Sequence, residues 1–86
     1  MDFEFDSHKS ASNKKKHGID FIEAQALWME PDRLEIPART QGEQRFVLIG
    51  RIALVHWSAV FTLRAENIRI ISVRRARHQE AEAYES

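Results

Sequence analysis

Residues 54–63 read LVHWSAVFTL, and the larger share of their apolar side chains falls on the odd-numbered positions. Alternation of this kind is typical of a β-strand with one buried face, because successive side chains point to opposite faces of a sheet. The pattern predicts a strand whose core face is formed by Val55, Trp57, Ala59, Phe61 and Leu63. The segments on either side extend this strand into a sheet.

Turn signals divide the chain from Arg33 to Val73 into four strands. They lie at 40–43 (TQGE), at about 50–53, and at 64–67 (RAEN). Because short connections join antiparallel neighbours, the four strands should form an antiparallel meander. The last strand, Asn67 to Val73, should lead into a helix from about 74 to 84.

The N-terminal quarter predicts a short strand and two helices. Phe3 to Asp6 alternates apolar and acidic side chains, which favours a strand. Ser7 can cap a helix over 7–17, and Gly18 can end it in a left-handed conformation. A second helix is predicted over 20–29, where Asp20 and Glu23 have capping-box spacing and Pro31 follows. Its apolar stripe, predicted to pack in the core, is Phe21, Ala24, Leu27 and Trp28.

The order of these elements predicts an α+β fold in one domain, residues 1–86. Two N-terminal helices and one C-terminal helix should pack on a small antiparallel sheet. That sheet should contain about four strands and, in addition, the short N-terminal strand.

The predicted helix over 7–17 is unusual because Ala11 is its only hydrophobic residue. A helix without an apolar face needs another reason to persist. Four of its residues fall within a roughly 100° arc, since spacings of three and four share one face. These are Lys9, Asn13, Lys16 and His17. Such a face can bind an anion, although a solvated charged face is an equally simple interpretation.

Charge is segregated along the chain, although the 13 basic and 13 acidic side chains sum to zero. Acidic residues dominate 2–6 and 80–85, whereas lysines fill 9–16 and arginines 69–77. This predicts a bipolar surface. The absence of cysteine excludes disulfides and thiolate metal sites. The acidic first residues do not resemble a signal peptide, and no apolar run approaches the roughly 20 residues that span a bilayer. We therefore expect a cytoplasmic protein without membrane association.

Several of these residues occur in the same order and spacing in a known family. Residues 3–6 (FEFD), 16–18 (KHG) and 23–24 (EA), with Lys9, Asn13 and Phe21, resemble the opening of BrnT toxins, whose pattern is FEWDPxK, N, KHG, F, EA. Arg45 with 49–50 (IG), and 68–76 (IRIISVRRA) with Glu80 and Tyr84, are similar to the later motifs of that family. The similarity covers about residues 3 to 84.

The resemblance implies a type II toxin–antitoxin toxin with a RelE-like fold that cleaves RNA and arrests translation. It also implies a BrnA-like antitoxin carrying a ribbon-helix-helix part, in a 2:2 heterotetramer that binds operator DNA. Phe5 and Ser7 replace the Trp and Pro of the family pattern. Phenylalanine keeps the ring but loses the indole donor. Serine exchanges one helix-start residue for another.

Metal-independent RNA cleavage needs a base for the 2′-hydroxyl, cations for the phosphorane and an acid for the leaving oxygen. His17 is the best acid–base candidate, because imidazole exchanges protons near neutral pH. It can instead cap the end of its helix. Glu23 is a possible second base, although a capping-box role is simpler. The predicted catalytic cations are Lys16, Arg45, Arg69 and Arg74, and the predicted RNA-binding residues are Lys9, Asn13, Lys14, Arg51 and Arg75.

Each of these arginines can instead be a surface residue paired with an acid. Glu80 and Tyr84 lie one turn apart and are interpreted as structural anchors. No metal or cofactor is expected, because the sequence has no HxxxH, HExxH or clustered Asp pair. A catalytically inactive homologue that only binds RNA or its antitoxin is the alternative function.

Overall fold

A five-stranded sheet forms the centre of the computed structural model, which describes residues 2–39 and 41–86. The strands lie in the order β1-β5-β4-β3-β2. Two α-helices and one 3₁₀ helix accompany the sheet. The elements are β1 (Phe3–Glu4), α1 (Ser7–His17), the 3₁₀ helix (Glu23–Met29), β2 (Leu34–Pro37), β3 (Arg45–Ile52), β4 (Val55–Arg64), β5 (Asn67–Arg75) and α2 (His78–Glu85).

The predicted α+β architecture is confirmed, and so is the antiparallel meander of β2 to β5. The N-terminal strand β1 joins the meander at the β5 edge and runs parallel to β5. The turn predicted at 50–53 lies further along the chain, because β3 stays paired with β4 up to Ile52 and the hairpin turns at residues 53–54. Thr40, in the first predicted turn, lies outside the described residues.

The boundary between β5 and α2 was predicted wrongly. Arg74 and Arg75 remain in β5, because they pair with Ser58 and Trp57 of β4. The backbone N–H of Ala76 continues this pairing by donating to the His56 carbonyl. The helix therefore begins at His78 rather than at about residue 74.

The core face of the sheet was predicted correctly for three of five positions of β4. Trp57, Ala59 and Phe61 are buried, whereas Val55 is only partly buried and Leu63 is 47% exposed. Leu63 pairs with Ile68 toward one end of the sheet, where it lines an open groove instead of the core. The stripe predicted on the second helix is confirmed as core, with Phe21, Ala24, Leu27 and Trp28 all buried.

Local capping differs from prediction at the start of α1, agrees at its end, and agrees only in part at the second helix. Asp6, not Ser7, caps α1, because its carboxylate accepts from the backbone N–H groups of His8 and Lys9. Gly18 ends α1 at φ +84°, as predicted. The Asp20–Glu23 capping box is present, but the helix after it is a 3₁₀ helix that begins at Glu23 rather than at Asp20.

Polar side chains dock α1 on the rest of the protein. Ser10 and Asn13 are buried, although Ala11 is exposed. The Ser10 hydroxyl accepts from the Phe21 N–H at 2.9 Å. Asn13 donates to the carbonyls of Ile19 and Val73, both at 2.8 Å, and accepts from the Val73 N–H at 3.2 Å. Hydrogen bonds therefore attach α1 to the rest of the protein, whereas an apolar stripe attaches an ordinary amphipathic helix.

The two hydrogen bonds between Asn13 and Val73 take the place of a neighbouring strand. β1 pairs with β5 only at Ile68 and Arg69, so the backbone of Val73 lies beyond the end of β1. Val73 donates its N–H to the Asn13 side chain and accepts a hydrogen bond from it at its carbonyl. The two residues of a hydrogen-bonded pair in an antiparallel ladder exchange the same two bonds. The Asn13 amide therefore completes the sheet edge at this position.

The face of the sheet opposite the core is called here the second face. α2 lies across one end of it and leaves the other end open. Ile49 and Ser58, which pair across β3 and β4, are each 1% exposed on this face. No helix within residues 2–39 and 41–86 is long and apolar enough to cross a membrane.

Candidate functional site

Two of the predicted catalytic arginines share one row of the second face. Arg45 of β3 and Arg69 of β5 both pair with Thr62 of β4, which lies between them. Arg69 lies 3.7 Å from a Glu4 carboxylate oxygen. Arg45 is exposed and makes no ion pair with any residue in the described part of the chain. This row, Arg45, Thr62 and Arg69, is called the arginine row.

Arg74 lies on the same face but at the other end. It pairs with Ser58, four residues along β4 from Thr62, which places it about 13 Å from the arginine row at the usual rise of a strand. The three arginines that the sequence predicted around one phosphorane are therefore not brought together.

Arg74 is held by a carboxylate of α2. Its guanidinium donates two hydrogen bonds to Glu80, at 2.8 and 3.0 Å. Glu80 also receives the Arg77 backbone N–H at 2.8 Å and lies 3.4 Å from the Ser58 hydroxyl. The Arg74 hydrogen bonds are the main reason why the pKa of Glu80 lies below its ordinary value. Glu80 thus anchors α2, as predicted.

Lys14, Lys16 and His17 lie at the C-terminal end of α1. Lys14 contacts Glu23 at 2.8 Å, and this hydrogen bond is the main cause that lowers the pKa of Glu23 and raises that of Lys14. Because Glu23 also closes the capping box, it is occupied and is dropped as a second base. Lys16 and His17 are exposed and make no hydrogen bond or ion pair with residues 2–39 or 41–86 through their side chains.

A shallow cleft of about 240 Å³ lies beside this end of α1 and is called the terminal cleft. The Arg75 guanidinium lies 5.9 Å from the centroid of the Trp57 ring, which lines the cleft. The residue after His17, Gly18, lines it too. The lining residues are Gly18, Ile19, Glu23, Ile52, Val55 and Trp57.

Arg74 and Arg75 point to opposite faces of β5, because they are consecutive residues of a strand. Lys16 and His17 lie on the helix that bonds the edge of β5 at Val73, two residues before Arg75. Lys16 and His17 therefore lie at the same end of the sheet as Arg74, but the Arg74 side chain is on the second face, where Glu80 holds it. Arg51, a predicted RNA-binding residue, lies at the same end, opposite His56.

Two other predicted RNA-binding residues differ in their surroundings. Lys9 is exposed near the start of α1. Asn13 is only 7% exposed, and backbone groups occupy its amide as described above. Because Asn13 belongs to the predicted basic face and is buried, this part of the face is directed toward the sheet. We therefore assign Asn13 to the structure of the protein and leave it out of the RNA-binding set.

The sequence analysis did not identify a second polar cluster, which lies under α2. His56 Nε2 lies 2.6 Å from a Glu85 carboxylate oxygen, and Arg51 lies 3.6 Å from the same carboxylate. The Tyr84 ring packs edge-on against the His56 ring, with centroids 5.4 Å apart, and its hydroxyl contacts Glu30. The signal in the sequence that could have indicated this cluster is the even-numbered position of His56, which places it on the second face of β4.

Within residues 2–39 and 41–86, no three histidine or acidic side chains are grouped to bind a metal ion.

A family comparison decides the classification of this chain. The model of a family described as "Ribonuclease toxin, BrnT, of type II toxin-antitoxin system" matches residues 5–80. The chain belongs to the BrnT family. The resemblance found in the sequence is thereby confirmed, and membership of this BrnT family implies an antitoxin partner and an RNA target. A comparison with curated proteins gave no match.

The Glu80–Arg74 pair predicts a pH dependence of the stability of this BrnT-family protein. Because folding lowers the pKa of Glu80, its stabilising contribution is present above the unfolded-state pKa, about 4.5, and is lost as pH falls through the folded-state pKa. Glu80→Gln should lower the free energy of unfolding by about 1 kcal/mol at pH 7. The difference from wild type should shrink on acidification below about pH 4.5, as measured by urea unfolding.

Glu82→Gln is the matched control, because among the described residues the Glu82 carboxylate contacts only His78, on the exposed side of α2. It should change the free energy of unfolding by less than about 0.5 kcal/mol. A Glu80→Gln difference that stays constant down to pH 3 would show that the charge of Glu80 does not stabilise the fold.

Proposed function

We propose that this BrnT-family protein is a metal-independent endoribonuclease with a RelE-like fold that arrests translation in the cytoplasm. A BrnA-like antitoxin neutralises it in a 2:2 heterotetramer, which binds operator DNA through the antitoxin. The family match supports ribonuclease activity. The observation that supports the site assignment is the attachment of α1, whose last residues are Lys16 and His17, to β5 one residue before Arg74.

In the proposed reaction His17 takes the proton from a ribose 2′-hydroxyl, whose oxygen then attacks the adjacent phosphorus. Lys16 and Arg74 stabilise the charge of the phosphorane, and the 5′-oxygen leaves with a proton supplied by solvent water. The products are a 2′,3′-cyclic phosphate and a 5′-hydroxyl. Cations placed where charge develops are the largest expected contribution to such a reaction. Exposure of Lys16 and His17 supports these roles, since neither side chain is engaged within the described residues.

Binding of the rest of the RNA is assigned to the other cations. Arg45 and Arg69 in the arginine row bind a phosphate distinct from the one at the reaction centre, because about 13 Å separates this row from Arg74. Guanidinium suits this role because it binds phosphate oxygens in pairs and stays charged. Lys9, Lys14, Arg51 and Arg75 complete the proposed RNA-binding set.

A catalytically inactive homologue that binds RNA or antitoxin is the second candidate. One observation favours it: carboxylates hold Lys14, Arg51, Arg69 and Arg74 in the free protein. Cations engaged in this way stabilise a fold without any need for chemistry.

Cleavage of RNA in the presence of EDTA tests the proposal. The purified protein should cut total RNA when divalent ions are chelated, and antitoxin added in equal amount should stop the reaction. Induced expression should arrest growth, and co-expression of the antitoxin should restore it. Folded protein that binds RNA but leaves it intact, with or without Mg²⁺, would establish the second candidate. Cleavage only when a divalent ion is present would refute metal independence alone.

A further inference from the structure

Acidic side chains hold α2 on the protein. Glu80 bonds Arg74, and Glu85 contacts both His56 and Arg51. No residue of α2 is itself buried, and the core cluster of the described residues includes none from this helix. α2 therefore covers one end of the second face without being part of the main core.

The surface beneath α2 is cationic and polar. Arg51 and His56 pair directly across β3 and β4, and Arg74 pairs with Ser58 two residues along β4. A carboxylate bound by arginine and histidine occupies the same kind of site as a phosphate, because both ligands offer paired anionic oxygens. Each of the two α2 carboxylates that touch this surface lies on a cation there.

We propose that Arg51, His56 and Arg74 form a phosphate-binding surface, which α2 occupies in the free protein. In the free protein Glu80 and Glu85 occupy these side chains, and in the complex RNA phosphates replace the two carboxylates as α2 moves away. This inference rests on the proposed function, since it takes RNA as the ligand. It deepens that function by making Arg74 available to substrate only when α2 is displaced.

Displacement of α2 is feasible because polar contacts, and not the main core, hold it on the sheet. Among the described residues, its contacts with the second face come from Glu80, Tyr84 and Glu85. Moving the helix removes the Glu80 contact of Ser58 but leaves the aromatic core around Trp28 and Phe61 in place. A ligand that binds the open form more tightly shifts the population toward it.

Two charge-matched double variants test the inference. Glu80→Gln with Glu85→Gln removes the carboxylates that touch the cations. Glu66→Gln with Glu82→Gln removes the same charge from an exposed turn residue and from the solvent side of α2. Glutamine keeps the size of the side chain in both cases. The probe is a single-stranded RNA of 12 nucleotides with 2′-O-methyl groups, which cannot be cleaved, and affinity is measured by fluorescence anisotropy at low salt.

The variant lacking Glu80 and Glu85 carboxylates should bind this RNA about tenfold more tightly than wild type, whereas the control pair should gain less than about threefold. RNA should also speed hydrogen exchange of the amides of residues 78–85 in the wild type. Thermal melting checks that all three proteins are folded.

Equal gains of RNA affinity in the two double variants would show that the effect comes from net charge. That result would overturn this inference but not the proposed function. Slower exchange of residues 78–85 on RNA binding would overturn the inference as well, because α2 would then be held more tightly. Release of α2 by antitoxin but not by RNA would assign the surface to the antitoxin instead. Failure of every folded variant to bind RNA would refute the proposed function, and the inference with it.

Discussion

Asn13→Asp should destabilise the protein by roughly 3 to 5 kcal/mol in urea unfolding at pH 7, a large share of the stability of a small domain. The substitution keeps the shape of the side chain. It removes the donor that bonds the carbonyls of Ile19 and Val73 and places a carboxylate beside those two oxygens. Since Asn13 is 7% exposed, water cannot readily take over the lost hydrogen bonds.

Ser12→Asp is the matched control for this result. It introduces the same charge one residue away on the exposed side of α1. It should change the free energy of unfolding by less than about 0.5 kcal/mol. Similar losses for both variants would mean that an added negative charge anywhere in α1 is harmful. A stable Asn13→Asp protein would contradict the role of the amide at the sheet edge.

His17→Ala should reduce RNA cleavage by about 10² to 10⁴-fold, the usual contribution of a general acid or base. The variant should also fail to arrest growth. Stability should be unchanged within about 0.5 kcal/mol, because His17 is exposed and its ring makes no hydrogen bond to residues 2–39 or 41–86. Cleavage is measured by initial rates on a labelled RNA, and stability by thermal melting of the same preparations.

His8→Ala is the matched control, because His8 is an exposed histidine in the first turn of the same helix. It should cleave at the wild-type rate. Lys16→Ala should lose activity as His17→Ala does and also remain folded. Loss of cooperative melting in His17→Ala would mark a structural role. Wild-type cleavage by folded His17→Ala would remove His17 from the reaction.

The sheet and its core were predictable because they follow from periodicity. Alternation in 54–63 identified β4, and the spacing of Phe21, Ala24, Leu27 and Trp28 identified a buried helical face. The start of α2 was not predictable from local pattern, since cross-strand hydrogen bonds with β4 hold Arg74 and Arg75 in a strand. Tertiary pairing thus overrides local propensity at this boundary.

The site was only partly predictable. Motif spacing identified the basic residues, but spacing cannot say which end of a sheet each one occupies. The antiparallel register decides that, and it separates the arginine row from Arg74. The basic face of α1 was interpreted from a helical wheel, which cannot show that backbone groups of Ile19 and Val73 already occupy Asn13.

The link between α1 and β5 has a consequence for synthesis on the ribosome. Asn13 bonds a residue 60 positions further along the chain, and β1 pairs with the same late strand. Contacts of such long sequence separation form late in folding. The end of α1 that carries Lys16 and His17 therefore cannot be fixed to the sheet until β5 has emerged from the ribosome. A chain that ends before β5 would leave both β1 and Asn13 without their partners in the sheet.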